Sequence, residues 1–186
     1  LRAAGPTLHP TPRVGKGGRP FLLYKFRWTV PPDSSLTNGN GSRTSTTTRL
    51  IQVLRLEELP QFFNVLVGDM SLVGPRAQPP AIVARYTAEQ REILGVRPGL
   101  TGPNQLAGTD KESRPPGDVH PDQHYVTNIL PHHLQSDLAY VRSRSLRLDL
   151  FYLLQTPFVL AHRSLTRYQL IPPPRRGGWP VLAPPW

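Results

Sequence analysis

The chain has 186 residues and carries 22 Lys+Arg against 12 Asp+Glu, a formal net charge of +10, which fits one domain with a modest core and excludes a large multidomain enzyme. The positive balance points to polyanions, whether nucleotides, nucleic acid or anionic lipid headgroups. The absence of cysteine excludes a disulfide framework, a thiolate metal site and a cysteine nucleophile, and neither a membrane span of about 18 apolar residues nor a signal peptide is read in the sequence.

Residues 1 to 32 hold six basic side chains, Arg2, Arg13, Lys16, Arg19, Lys25 and Arg27, and no acidic one, so this arm is expected to face phosphate. Arg13 to Trp28 reads as two strands around Gly15-Lys16-Gly17-Gly18. Alternation along the second strand predicts an apolar face of Leu22, Tyr24, Phe26 and Trp28. On the opposite face Lys25 and Arg27 would stand roughly 7 Å apart, placed to grip a diphosphate. Residues 29 to 48 read as a loop rich in Pro, Ser, Thr, Asn and Gly.

From Arg49 the pattern turns helical, with Leu50, Val53 and Leu54 on one face. After Leu56 a second helix has Leu59, Phe62, Phe63, Leu66 and Val67 at i, i+3, i+4, i+7 and i+8. Pro60 then lies early in that helix, and Glu57 and Glu58 at its N-terminus, where unpaired amides and the macrodipole favour negative charge. Another helix is predicted from Pro79 to Leu94 through Ile82, Val83, Tyr86 and Ile93. Residues 109 to 124 read as a polar loop, and Ser136 to Leu160 as amphipathic helices for core packing or for lying at a membrane surface. Beyond Ala161 the chain turns basic and then Pro/Gly-rich, an extended tail through Pro172-Pro173-Pro174-Arg175-Arg176. The expected fold is an α+β, mostly helical compact domain with a small N-terminal β-hairpin. Residues 1–161 are expected to form this domain and 162–186 a basic, Pro-rich tail.

The chemistry concentrates between Leu56 and Arg76. Leu56-Glu57-Glu58-Leu59-Pro60-Gln61 runs on through Asn64-Val65-Leu66 to Gly68-Asp69-Met70-Ser71-Leu72-Val73-Gly74-Pro75-Arg76. Adjacent carboxylates near a proline-flanked arginine suit phosphoryl chemistry: one oxygen attacks phosphorus, a second holds a divalent metal, and the guanidinium neutralises the transferred group. Rival signals are weaker. His120 and His124, near Asp118 and Asp122 and followed by His132 and His133, would bind zinc only on a helix that Pro121 opposes. Gly15-Lys16-Gly17-Gly18 lacks Walker spacing. A basic nucleic-acid-binding module would draw on the net charge, Tyr24 and Trp28, but no nucleic-acid motif accompanies them, and no nucleic-acid partner is expected.

The Leu56–Arg76 segment resembles the core motif of the polyprenyl-phosphate sugar phosphotransferases, the membrane-associated bacterial sugar transferase family of monotopic phosphoglycosyl transferases. There it reads roughly Ser-Leu-Asp-Glu-Leu-Pro-Gln, then Asn-Val-Leu, then Gly-Asp-Met-Ser-Leu-Val-Gly-Pro-Arg-Pro. Three further blocks follow the family order. They are Arg13-Val14-Gly15-Lys16-Gly17-Gly18 with Phe21 and Lys25-Phe26-Arg27; Val96-Arg97-Pro98-Gly99-Leu100-Thr101-Gly102 with Gln105 and Gly108; and Asp137, Tyr140-Val141 and Ser145-Leu146-Arg147-Leu148-Asp149. Together they span Gly5 to about Thr156.

The resemblance implies transfer of sugar-1-phosphate from a UDP-sugar to polyprenyl phosphate through a covalent carboxyl-phosphosugar intermediate, assisted by Mg2+, at a membrane surface on the cytoplasmic side. Carried over by position, Glu57 is the nucleophile and Glu58 the metal ligand. Lys25, Arg27, Arg76 and Arg97 become phosphate contacts, Gln105 a nucleotide contact, and Asp149 a group that orients basic side chains. The family normally carries a hydrophobic membrane-inserted helix just before the position of Gly5, so the chain is expected either to be a fragment or to have lost that anchor. Glu57, Glu58, Arg76 and Lys25 are expected to converge on one pocket. The chain departs from the family at several positions. Glu57 replaces aspartate and shifts the carboxylate by roughly 1.5 Å. Arg55 replaces serine, Gln52 arginine and Ala77 proline. Gly102-Pro103-Asn104-Gln105 stands for Gly-Trp-Ala-Gln, and Ala107-Gly108-Thr109 for Asn-Gly-Arg. The alternative reading is an inactive or truncated homologue that keeps the fold and its phosphate affinity.

Overall fold

A computed structural model describes residues 8–26, 56–107 and 125–167, with side chains described as far as residue 162. The expected loop 29–48, the helix from Arg49, the loop 109–124, and Arg27, Trp28, Gln52, Arg55, His120 and His124 lie outside the described residues. So does the tail beyond residue 167.

Strands β1 (Leu8–Val14) and β2 (Pro20–Phe26) form the expected antiparallel hairpin, in register His9↔Lys25 and Arg13↔Phe21. Its turn passes through Gly17 and Gly18 at φ +68° and +77°, where a side chain would strain the backbone. A tight turn at Leu56–Glu58 leads into α1 (Gln61–Leu66), then β3 (Ser71–Val73) and α2 (Pro80–Val83). A 3₁₀ segment, Gln90–Gly95, precedes β4 (Gly99–Thr101) and α3 (Pro103–Ala107). A π turn at Tyr125–Ile129 opens α4 (Leu130–Ser143), and α5 (Leu146–Arg167) follows. The α+β class, mostly helical around a small hairpin, is as the sequence predicts.

The parallel pair β3–β4, with Ser71↔Gly99 and Val73↔Thr101, is an addition. Three-residue strands are too short to show a period of two. They bring the Gly74-Pro75-Arg76 turn against Arg97-Pro98-Gly99: a Cβ on Gly74 would lie 2.5 Å from the Arg97 carbonyl oxygen, and one on Gly99 would overlap the Gly74 nitrogen. Glycine is therefore a packing requirement at both positions.

Three buried clusters hold the elements together. Val14, Val83, Tyr86, Ile93, Leu130 and Leu134 join the hairpin to α2, the 3₁₀ segment and α4. Val73, Leu106, Tyr140, Leu148, Tyr152 and Val159 join β3, α3, α4 and α5. Leu23, Met70 and Ala77 fasten β2.

Several local expectations are corrected. In β2 the inward residue is Leu23, while Leu22 and Phe26 are exposed; the apolar face read from the sequence is the outer one. The reason lies in α1, which presents its polar side to the strand. Asn64, fully buried, donates from Nδ2 to the Leu22 carbonyl (2.8 Å) and accepts the Tyr24 N–H (3.2 Å), so a side chain completes the edge of β2. Consequently Leu59, Phe62, Phe63, Leu66 and Val67, the stripe that defines the helix in the sequence, all point outward.

The single helix expected over Pro79–Leu94 is broken after Val83. Thr87 and Gln90 bond reciprocally, the Gln90 N–H to Thr87 Oγ1 (3.2 Å) and the Thr87 N–H to Gln90 Oε1 (3.0 Å). This capping box starts a new turn instead of continuing the old one. The Ser136–Leu160 helical region divides at Arg144 and Ser145, where the Ser145 hydroxyl accepts the Leu148 N–H (3.2 Å). Helix α5 runs past Ala161 to Arg167. Among the described residues no helix is long and apolar enough to cross a membrane.

Candidate active site

The hairpin supplies two cations to one side. Arg13 pairs with Phe21, and Phe21, Leu23 and Lys25 alternate onto a single face, so Arg13 and Lys25 both follow Leu23 inward. The turn before α1 supplies Glu58, whose Oε1 lies 3.9 Å from Lys25 Nζ. The turn after β3 supplies Arg76, anchored from behind because its backbone N–H donates to Oδ2 of Asp137 on α4 (3.3 Å). From α3 comes Gln105, whose Nε2 donates to the Gly99 carbonyl (3.2 Å).

Arg13, Lys25, Glu58, Gln61, Arg76 and Gln105 thus line a cleft of about 50 Å³. Burial, followed by the neighbouring Arg76 charge, holds the Arg13 guanidinium below the usual arginine range. Two guanidiniums kept close in this way repel each other, and an anion between them relieves the repulsion. The volume, less than that of two waters at about 30 Å³ each in the liquid, admits a phosphate group but no nucleotide.

Glu57 lies on the same turn without lining this cleft. Its Oε2 is buried and accepts no hydrogen bond, an exception for a group that normally finds a donor when removed from water. Arg97 and Asp149 stand apart from the cleft, in an adjoining cavity of about 410 Å³ with Lys16, Ser71, Arg144 and Ser145. There Asp149 Oδ1 accepts the Tyr140 hydroxyl at 2.6 Å. Burial and this bond push the Tyr140 phenol above the ordinary tyrosine range. The structure therefore brings Lys25, Glu58, Arg76 and Gln105 together, places Glu57 beside them, and sets Arg97 and Asp149 next door; Arg27 lies outside the described residues. Of the histidines, His133 is buried edge-on to Tyr125 while the adjacent His132 is exposed, so these two do not form a pair of ligands.

Of the polar residues in these two cavities, Gln61 and Arg144 have no site role in the sequence reading, and Arg13 and Lys16 enter it only as members of the basic arm expected to face phosphate. Arg13 was detectable, because a hairpin turning at Gly15–Gly18 places it on the face of Lys25. Gln61 and Arg144 carry no such signal, since their positions depend on how α1 and α5 are mounted.

The family model for bacterial sugar transferases matches residues 1–163. The chain is 41% identical over 110 residues to the uncharacterized sugar transferase EpsL of Bacillus subtilis (strain 168), covering 58% of this chain and 54% of that protein. It is 40% identical over 111 residues to a UDP-N-acetylgalactosamine-undecaprenyl-phosphate N-acetylgalactosaminephosphotransferase of Aeromonas hydrophila, covering 55% and 26%. It is 32% identical over 163 residues to a UDP-glucose:undecaprenyl-phosphate glucose-1-phosphate transferase of Caulobacter vibrioides (strain ATCC 19089 / CIP 103742 / CB 15), covering 84% and 57%. The chain thus spans only part of the length of each relative. With the family model matching most of its length, this chain belongs to the bacterial sugar transferase family.

Proposed function

We propose that the protein transfers a sugar 1-phosphate from a UDP-sugar to polyprenyl phosphate in two displacements at one carboxylate. In the first, a Glu57 oxygen attacks the β-phosphorus, the bond from that phosphorus to the bridging oxygen breaks, and UMP leaves with the electron pair. In the second, an oxygen of polyprenyl phosphate attacks the phosphorus of the acyl phosphate, the carboxylate is released, and the sugar departs on a lipid diphosphate. The reaction needs charge neutralisation more than acid–base machinery. Arg13, Lys25 and Arg76 supply it.

The observation that carries this reading is the convergence of Arg13, Lys25, Glu58, Arg76 and Gln105 from separate segments on a phosphate-sized cleft. The buried, unbonded Oε2 of Glu57 fits a nucleophile, since an unsolvated carboxylate oxygen is the more reactive. Among the described residues no group of three His, Asp or Glu side chains could cage a metal. Mg2+ does not require one: it takes one or two carboxylates together with substrate phosphates and water. Glu58 would hold it, and the ion would neutralise charge on the departing UMP.

The outward stripe of α1, with exposed Leu22 and Phe26 beside it, supports contact with a membrane surface; within this reading that surface is the cytoplasmic face, where the lipid acceptor is reached. The ring of Tyr24 on that strand face meets Phe63 edge-on at 6.1 Å, which ties hairpin and helix into one apolar surface.

The test follows UMP release and the mass of a phosphosugar adduct, using the protein with any upstream segment of its gene and polyprenyl phosphate in detergent. Glu57→Gln should abolish the adduct, Glu58→Gln should remove the Mg2+ dependence, and Glu57→Asp should raise turnover by restoring the shorter reach. Because Glu58 rather than Glu57 lines the cleft, an exchange of roles is the second reading. It holds if the adduct survives Glu57→Gln and disappears in Glu58→Gln. No UMP release from the wild type or from Glu57→Asp establishes the inactive homologue.

A further inference from the structure

We infer that the cavity framed by Lys16, Arg97 and Arg144 binds the phosphate of an organic phosphate ester, as a site separate from the Lys25–Glu58–Arg76 cleft. The first argument is size. The cleft at Glu58 measures about 50 Å³, whereas the cavity at Arg144 measures about 410 Å³, within the range of small-molecule sites. A ligand whose reacting phosphate enters the cleft must lodge the rest of its bulk elsewhere.

The second argument is charge. Among the described residues the side chains of Lys16, Arg97 and Arg144 meet no carboxylate at ion-pair distance, although the fold pairs a nearby arginine thoroughly: Arg142, two residues before Arg144, holds Glu89 at 2.9 Å and Glu92 at 3.0 Å. The cavity contains one carboxylate, Asp149, and one of its oxygens is already engaged by the Tyr140 hydroxyl. Three cations facing one acid across a common space repel one another until an anion enters. A phosphate monoester or diphosphate carries the charge and the acceptor oxygens to bind all of them.

The third argument is the remaining wall. Ser71 and Ser145 add hydroxyls to the lining, and Val96 and Leu146 add apolar surface for the organic part. Lys16 and Arg97 also border a second cavity of about 420 Å³ with Arg19 and the carboxylate of Asp69, but no hydroxyl lines it. The phosphate therefore belongs on the Arg144 side. The identity of the ester rests on the transferase reading, within which it is a nucleotide or a lipid phosphate. The charge arrangement stands without that reading.

The experiment is calorimetric titration of the full protein with UMP and, separately, with a short-chain prenyl phosphate in detergent. The variants are Lys16→Gln and Arg144→Gln, both at exposed positions. Arg85→Gln and Arg19→Gln remove the same charge elsewhere. Lys16→Gln and Arg144→Gln should each weaken one or both esters about tenfold, while Arg85→Gln and Arg19→Gln stay within about twofold. A loss confined to UMP assigns the nucleotide, and one confined to the prenyl phosphate assigns the lipid. The proposal is overturned if the wild type binds neither ester, if Arg144→Gln binds both as the wild type does, or if Arg19→Gln weakens binding and Arg144→Gln does not. Sugar-phosphate transfer measured on the same preparations separates the two readings. Transfer with ester binding indifferent to Lys16 and Arg144 removes this site alone, and cavity-dependent binding without transfer removes the transferase reading alone.

Discussion

Helices α1 and α4 both border the region of the candidate site, yet they are mounted with opposite faces inward. In α4 the buried positions include Leu130, Leu134 and Tyr140, and the helix is held by apolar packing. In α1 the buried positions are Gln61 and Asn64, while Phe62, Phe63 and Leu66 face out. Helix α1 is fastened by hydrogen bonds to the backbone of β2. An apolar stripe at helical spacing thus identifies a helix without identifying what covers the stripe, because burial is decided by the neighbouring element.

The largest effect that tests this contrast is Leu134→Ala, expected to cost about 3 kcal/mol of unfolding free energy through lost burial and a cavity. The shift in the urea midpoint measures it, and a loss below about 1 kcal/mol would mean that α4 is not held by its apolar face. Asn64→Ala is expected to cost about 2 kcal/mol, since it orphans the Leu22 carbonyl and the Tyr24 N–H. Faster hydrogen exchange at the Tyr24 amide would localise the damage. An unchanged exchange rate would show that Asn64 does not secure the strand.

The double variant Phe62→Ser, Leu66→Ser reverses the pattern seen in α4. Folding stability should change by no more than about 0.5 kcal/mol, because both side chains are already exposed. Binding to anionic vesicles should fall about a hundredfold, each of the two apolar side chains buried in the membrane being worth at least about 1.5 kcal/mol. Undiminished vesicle binding would remove α1 from any membrane contact.

The smallest effect, absent near neutrality, concerns the phenols beneath α4 and α5. Burial, followed by the Asp137 charge, pushes Tyr152 up to about 12, and Tyr140 and Tyr86 are raised for related reasons. The unfolded chain releases these protons near about pH 10. The contribution of Tyr152 is therefore complete below about pH 10 and is lost as pH rises through about 12. Because the chain has six tyrosines, the check is the difference titration between the parent and Tyr152→Phe: the phenolate absorbance so assigned to Tyr152 should develop only together with unfolding, and its appearance in the folded state near about pH 10 would contradict the burial.

The glycine turn fixed the hairpin, and the prolines and apolar spacing located most helices, because these signals act within a few residues. The break after Val83 was also written locally, in Thr87 and Gln90, but a continuous apolar rhythm through Tyr86 and Ile93 masked it. The parity of β2 was not legible. Both faces of that strand carry apolar residues, and the choice of Leu23 depends on Asn64, Met70 and Ala77, which lie far along the chain from it. The same division holds for the site. Motif blocks pointed to Lys25, Glu58, Arg76 and Gln105, whereas the assignment of Arg97 and Asp149 to a different cavity depends on the packing of β3, β4 and α5.

The contact between Gly74 and Gly99 has a consequence for chimaeras within the family. The two turns touch backbone to backbone, with no side chain to absorb a mismatch. A crossover placed between residues 77 and 97 would join turns that had never been fitted together, and a substituent at either glycine would force them apart at once. Hybrids cut outside residues 70 to 106 inherit a matched pair. They should fold far more often than hybrids cut within it.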